Sequence, residues 1–166
     1  MNTIVFQEMR ESRALAYSAG AYLLTPDYVG DTYAWRAYIA SQNDKLRQAV
    51  EAFDQIIEDM PLSPESFEIA KAGLLLRLRT QRVIGKDVLT NYLWAKELGL
   101  DKTTDELIYD KIEGLTLDDL VATHERWIKG RTYTYAILGD PNDLNMAFLR
   151  TLGPVERASL EDIFGY

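Results

Sequence analysis

Apolar positions at the start of the chain follow first a helical and then a strand spacing. In residues 3–12, Ile4, Phe6 and Met9 recur among polar residues with a period closer to 3.6 than to 2, which predicts the end of a helix. Residues 14–24 are almost wholly apolar and predict a strand, and residues 32–41 alternate with period two and predict a second strand. Residues 25–31 between them have the composition of a turn, so we expect an antiparallel hairpin.

The middle of the chain predicts helices separated by turn signals. Apolar residues between positions 46 and 57 keep i, i+3, i+4 spacing, with Asn43 and Asp44 as candidates for the cap and Pro61 as the stop. Ser63 followed by Pro64 predicts the start of a longer helix that continues through Leu78. A further helix is predicted over residues 86–98, between two glycines.

The last third of the chain predicts shorter elements. Helix starts are expected at Thr104 and Thr116, each followed by acidic residues. Residues 131–138 predict a third strand and residues 142–152 a last helix. The fold class predicted from this order is α+β, an antiparallel sheet with helices packed on one face. No linker divides residues 1–166, so we expect a single domain.

Composition and charge exclude several classes of function. The 18 basic and 26 acidic residues give a net charge of -8, which disfavours binding to nucleic acid or to an anionic membrane surface. Cysteine is absent and His124 is the single histidine, whereas catalytic zinc sites usually need two or three imidazoles. We therefore expect no self-contained zinc centre and no other cofactor in this chain.

Other polar groups have structural interpretations that outweigh catalytic ones. Adjacent carboxylates such as Asp105 with Glu106 and Asp118 with Asp119 fall in first turns, where the helix dipole favours acidic residues. His124 is more typical of a packing or surface residue. The cluster Arg77, Arg79, Arg82 and Lys86 fits a solvated helix face, and residues 139–142 fit a plain turn.

Arg10 and Tyr17 are the candidate functional residues, seven positions apart across the predicted helix-to-strand junction. An arginine offers a planar fork of donors for carbonyl or carboxylate oxygens, and a tyrosine hydroxyl can donate to a developing oxyanion. The alternative is that Arg10 pairs with Glu11 or a neighbouring carboxylate and that Tyr17 packs in the sheet. Composition alone favours this structural alternative.

A resemblance to a known family changes that balance. Residues 5–11 with residues 15–21 resemble the signature of the non-catalytic C-terminal half of pitrilysin/insulinase-type zinc metallopeptidases, the inverzincins. Residues 62–71, 109–120, 133–140 and the tail 160–166 are also similar to segments of that half, so the resemblance extends over nearly the whole chain. It implies a half-domain like that of mitochondrial processing peptidase.

The resemblance implies roles for the two candidate residues. In this family two α+β halves close around the peptide, and the catalytic half carries an inverted H-x-x-E-H zinc motif that this chain lacks. The other half contributes an arginine and a tyrosine, seven residues apart, that hold the substrate backbone and help to stabilise the oxyanion. Those positions match Arg10 and Tyr17.

The chain begins inside the signature helix, whereas a family half-domain has further strands before it. An incomplete half-domain, truncated at its N-terminal end, is therefore expected to self-associate, as a dimer, when it is isolated.

Two functions follow from the resemblance. The first is a substrate-binding, non-catalytic domain of a zinc-dependent metalloendopeptidase, with a peptide substrate and a catalytic half-domain or subunit as partners. Zinc is then expected in that catalytic half, so this chain is not expected to be active alone. The alternative is a non-enzymatic scaffold or assembly subunit of the same family. The sequence predicts neither the substrate nor the cellular compartment.

Overall fold

The computed structural model describes residues 5–166, and its sheet is the predicted hairpin. Strands β1 (Ser18–Leu24) and β2 (Ala34–Ala40) pair antiparallel, from Ser18 opposite Ala40 to Leu24 opposite Ala34. The first strand was predicted from residue 14, but residues 14–17 form a turn instead. The α+β class is confirmed.

Helix α1 (Leu46–Glu58) packs on the inner face of the hairpin and forms the core with it. Strand alternation turns Ala19 and Ala21 inward, and their small side chains leave room for Phe53 and Ile56 of the helix. Ile56 is 1% exposed. Half-buried residues of β2 complete this layer, namely Trp35, Ala37 and Ile39. The inward positions are those that the period-two pattern predicted.

Six further helices follow α1 within the described residues. They are α2 (Pro64–Thr80), α3 (Lys86–Glu97), α4 (Thr104–Ile112), α5 (Leu117–Trp127), α6 (Met146–Leu152) and α7 (Leu160–Phe164). α6 starts four residues later than predicted, because the Asn145 side chain accepts from the Phe148 N–H and fixes the start there. α6 packs on α1 through Phe148 and Leu149.

Side-chain caps fix most helix starts. Ser63 caps α2 as predicted, and its Oγ accepts from the Ser66 N–H at 3.1 Å. α4 and α5 begin with capping boxes at Thr103 and Thr116, the first of them one residue before the predicted position. Asn43 does not cap α1; its amide donates to Asp143 Oδ2 at 3.1 Å, and residues Asn43–Lys45 form a 3₁₀ turn.

The prediction of a third strand over residues 131–138 is wrong, because this segment has no regular structure. Side-chain contacts, rather than backbone hydrogen bonds to a strand, attach this segment to the core. The Tyr133 ring meets Trp35 edge-on at 5.6 Å and its hydroxyl donates to the Ile128 carbonyl, while the Tyr135 hydroxyl donates to Asp54 Oδ1 at 2.6 Å. Alternating aromatic residues therefore serve here as side-chain anchors on one face.

Polar side chains connect helix α2 to α4 and to the residues that follow it. Lys71 Nζ donates to the carbonyls of Glu113 and Leu115, both at 2.8 Å. α2 itself has no buried residue, and Ile69 and Leu76 are 66% and 63% exposed. Within residues 5–166, no helix is long and apolar enough to cross a membrane.

We expect Ile56→Ala to lower the free energy of unfolding by about 2–5 kcal/mol, because it leaves a cavity between α1 and the hairpin. Urea unfolding followed by circular dichroism measures this. Gln48→Ala, at an exposed position of the same helix, is the matched control and should change stability by less than about 0.5 kcal/mol. Equal effects of the two substitutions would contradict the assignment of the core.

Candidate functional site

The helical segment before β1 is a π-helix, Gln7–Ser12, rather than an α-helix. The Arg13 N–H donates to the Glu8 carbonyl five residues back, at 3.1 Å, and the Leu15 N–H to the Met9 carbonyl six residues back, at 2.9 Å. Met9 is fully buried in the core. The predicted helix is thus present over its described part, whereas its first residues, Thr3 and Ile4, lie outside the described residues.

Arg13, and not Arg10, holds this segment in place by side-chain contacts. Its Nε lies 3.5 Å from Glu8 Oε2, and its Nη2 donates to Gln55 Oε1 of α1 at 2.9 Å. The expected alternative, in which Arg10 pairs with a neighbouring carboxylate, does not occur among the described residues. Pairing of Arg13 with Glu8 leaves the guanidinium of Arg10 available for other contacts.

Arg10 is exposed to solvent on the π-helix. Its guanidinium carbon lies 5.1 Å from the centroid of the Phe6 ring, a distance at which cation–π attraction orients the side chain. Within the described residues it makes no ion pair. It can therefore donate its fork of N–H groups to an oxygen of a bound molecule without losing an internal partner.

Tyr17 lies immediately before β1, and its backbone N–H donates to the Ala40 carbonyl at the end of β2, at 2.8 Å. Its side chain is 68% exposed, so it does not pack in the sheet as the structural alternative required. In the part of the chain that the structure describes, its hydroxyl has no hydrogen-bond partner. The backbone of Tyr17 is fixed while its phenol is free.

A sharp turn separates Arg10 from Tyr17. Its tightest point is Ala14, whose φ of 50° lies in the left-handed region that disfavours residues with a Cβ. Such backbone strain, like a π-helical turn, is frequently found at functional sites. Neither feature is visible in the hydrophobic pattern of residues 3–24, so both were missed by the sequence analysis.

Tyr17 also lines a cavity of about 210 Å³, whereas Arg10 does not. The other lining residues are Ala14, Leu15, Ala16, Gln42 and Lys45. Lys45 Nζ donates to the Ala14 carbonyl at 3.4 Å, across the mouth of the turn. The structure therefore places Arg10 within the π-helix and Tyr17 immediately before β1, and of the two it gives a cavity to Tyr17 alone.

Tyrosines continue from this site along the outer face of the hairpin. The Ser18 and Tyr38 hydroxyls share a hydrogen bond at 2.6 Å, and the rings of Tyr22 and Tyr38 stack at 5.9 Å. The pKa of Tyr38 is lowered, mainly by its hydrogen bond with Ser18 and then by that with Tyr22. The pKa of Tyr22 is raised, mainly by its hydrogen bond with Tyr38. This face offers polar hydroxyls and aromatic surface together.

The other candidate groups have structural roles, as expected. Glu106 and Asp119 accept from the N-caps Thr103 and Thr116, and these bonds lower the pKa of each carboxyl. Arg77 and Arg79 lie 3.5 Å and 2.8 Å from the carboxylates of Asp105 and Glu113, so they form no free basic patch.

His124 is 4% exposed in α5, and its Nε2 has no hydrogen-bond partner in the described structure. Residues 139–142 form a turn closed by Asp140, whose Oδ1 accepts from the Asn142 N–H at 2.9 Å. No group of three His, Cys, Asp or Glu side chains within residues 5–166 is placed to hold a metal ion.

The comparison with known families covers the part of the chain that contains this site. Residues 1–74 match the family model of the peptidase M16 inactive domain. The match includes the π-helix, the strained turn, the hairpin and α1, and it ends within α2. Residues 1–74 therefore match an inactive M16 peptidase domain, which supports the resemblance of this part of the chain to the C-terminal half of the pitrilysin/insulinase family. No curated protein matches the chain.

We expect Ala14→Gly to raise the free energy of unfolding by about 0.5–1 kcal/mol, because glycine adopts positive φ without a Cβ clash. Ala16→Gly, in the same turn but without positive φ, is the control and should lower it by a similar amount. Urea unfolding of the two variants measures both changes. Destabilisation by both substitutions to the same extent would contradict strain at Ala14.

Proposed function

We propose that this chain is a substrate-binding, non-catalytic domain of a zinc-dependent metalloendopeptidase. It binds an extended segment of a peptide, and Arg10 and Tyr17 donate to carbonyl oxygens of its backbone. A zinc ion held by a partner catalytic half would supply the activation of water for hydrolysis of the peptide bond. The residues described here do not fit a zinc site, so they act by binding and orienting the peptide.

The availability of the two donors is the observation that carries this proposal. Both side chains are exposed, neither has an internal hydrogen bond or ion pair in the described residues, and both lie within the segment that matches the M16 inactive domain. Unused donors suit backbone carbonyls, because every peptide offers those regardless of its sequence.

The hairpin supplies a second element of the proposed mode of binding. An extended peptide can add to the edge of a sheet, where main-chain hydrogen bonds give affinity and side-chain pockets give specificity. Within residues 5–166 the sheet has two strands, and Tyr17 lies directly at its end, against the last residue of β2. A peptide added there passes the Tyr17 hydroxyl.

We expect Tyr17→Phe to weaken peptide binding about three- to tenfold, because one hydrogen bond to a carbonyl is lost while the ring remains. Fluorescence polarisation with a fluorescein-labelled pool of randomised peptides, about a dozen residues long, measures this on the isolated chain. In a complex with a zinc-bearing half, the same change should reduce kcat about ten- to a thousandfold.

The matched control is Tyr109→Phe, which removes a hydroxyl from another exposed tyrosine, in α4. Its affinity for the peptide pool should equal that of the unchanged chain. Arg10→Gln should weaken binding as Tyr17→Phe does. Peptide affinity that is the same in all four proteins would overturn the roles of Arg10 and Tyr17.

The alternative function, a scaffold or assembly subunit, is favoured by the apolar surface of the helices. In α3, Val88, Leu89 and Tyr92 are 56%, 61% and 54% exposed, and α2 exposes Ile69 and Leu76 to a similar degree. Exposed apolar patches of this kind are typical of surfaces that associate. Such association is compatible with peptide binding by the same chain.

We expect the isolated chain to form a dimer, because burial of these apolar side chains removes them from water. Size-exclusion chromatography with light scattering measures the mass. The double variant Ile69→Lys with Leu76→Lys should be monomeric, whereas Ile163→Lys, at an exposed position of α7, should remain dimeric. A monomer of the unchanged chain at high concentration would contradict the expectation.

A further inference from the structure

The cavity beside Tyr17 has the size of one side chain. Its volume of about 210 Å³ is smaller than the several hundred Å³ typical of sites that enclose a whole ligand. Three of its lining residues, Ala14, Leu15 and Ala16, have apolar side chains, and the other three, Tyr17, Gln42 and Lys45, have polar ones. Such a cavity suits one residue of a longer molecule, held by a few polar contacts.

Lys45 is the one charged residue that lines this cavity within the described structure. It forms no ion pair there, although the chain as a whole has more acidic than basic residues. The one hydrogen bond of its ammonium group within the described residues, to the Ala14 carbonyl, is long at 3.4 Å. An ammonium group has three donors, so two remain for a bound molecule.

Gln42 adds a neutral donor and acceptor on the same side. Its side-chain amide is exposed and has no hydrogen-bond partner in the part of the chain that the structure describes. The side chains of Gln42, Lys45 and Tyr17, three of the residues that line the cavity, can each donate a hydrogen bond. In an unmodified peptide, the group that can accept from all three and whose charge complements Lys45 is a carboxylate.

We infer that Lys45 is a specificity-determining residue, which binds a carboxylate of the peptide next to the carbonyl that Tyr17 contacts. This inference rests on the proposed function. The carboxylate is either an acidic side chain within the peptide or its C-terminal group, because the two share the same chemistry. The chain therefore prefers peptides with a negative charge at this one position, despite its own net negative charge.

The experiment uses the full chain and two labelled pools of randomised peptides, identical except for a fixed central Glu or Gln. We expect the Glu pool to bind about three- to tenfold more tightly, as for a partly exposed ion pair, and the ratio to shrink with added salt. A third and fourth pool, with free and amidated C-termini, distinguish the two sources of the carboxylate.

Variants of Lys45 separate binding from a structural role at the Ala14 turn. Lys45→Met and Lys45→Gln should abolish the ratio of Glu to Gln affinities, and Lys45→Arg should retain it. A merely structural lysine would change both affinities equally and leave the ratio intact. Lys111→Met, at an exposed position of α4, is the matched control and should leave both affinities unchanged.

Equal affinity of the unchanged chain for all four pools, with weaker binding by Tyr17→Phe, would overturn this inference alone. Absence of binding to every pool would overturn the proposed function and the inference together. If the ratio of Glu to Gln affinities is unchanged in Lys45→Met and Lys45→Gln, the carboxylate binds elsewhere. That result would also overturn the role of Lys45.

Discussion

The contact between α1 and the alanine-rich inner face of the hairpin is the interaction on which the rest of the described structure depends. Small side chains on the strands let the helix lie close to the sheet, and the interior between them is filled by branched and aromatic residues. The same helix also contacts α6 through Val50, the segment 131–138 through Asp54, Arg13 through Gln55, and the loop after α5 through Glu58.

Two nearby arginines make different contacts at the proposed site. Arg13 points back to the core layer and is occupied by Glu8 and Gln55, so it stabilises the π-helix. Arg10 rests on an aromatic ring and keeps its donors for solvent or a ligand. Within this π-helical turn Met9 is buried in the core while the next residue, Arg10, is exposed.

The sequence predicted those elements that are determined by residues close to one another along the chain. The hairpin follows from alternation, and the caps at Ser63 and Thr116 follow from side chains that bond three residues ahead. The supposed third strand has the same alternation, but a strand exists only when a distant backbone pairs with it, and spacing does not encode that pairing. The left-handed Ala14 and the cavity at Lys45 also arise from residues that meet only after folding, and so neither was predicted.

The capping boxes make the stability of three helix starts depend on pH. The carboxyls of Glu106, Asp119 and Asp162 accept hydrogen bonds from their N-caps, and these bonds hold the pKa of each below its usual range. Their contribution to stability is therefore complete above the pKa that they have in the unfolded chain, and it is lost only as the pH falls through the lower, folded value. α4, α5 and α7 thus keep their first turns anchored in mildly acidic surroundings, and strong acid is needed to release them.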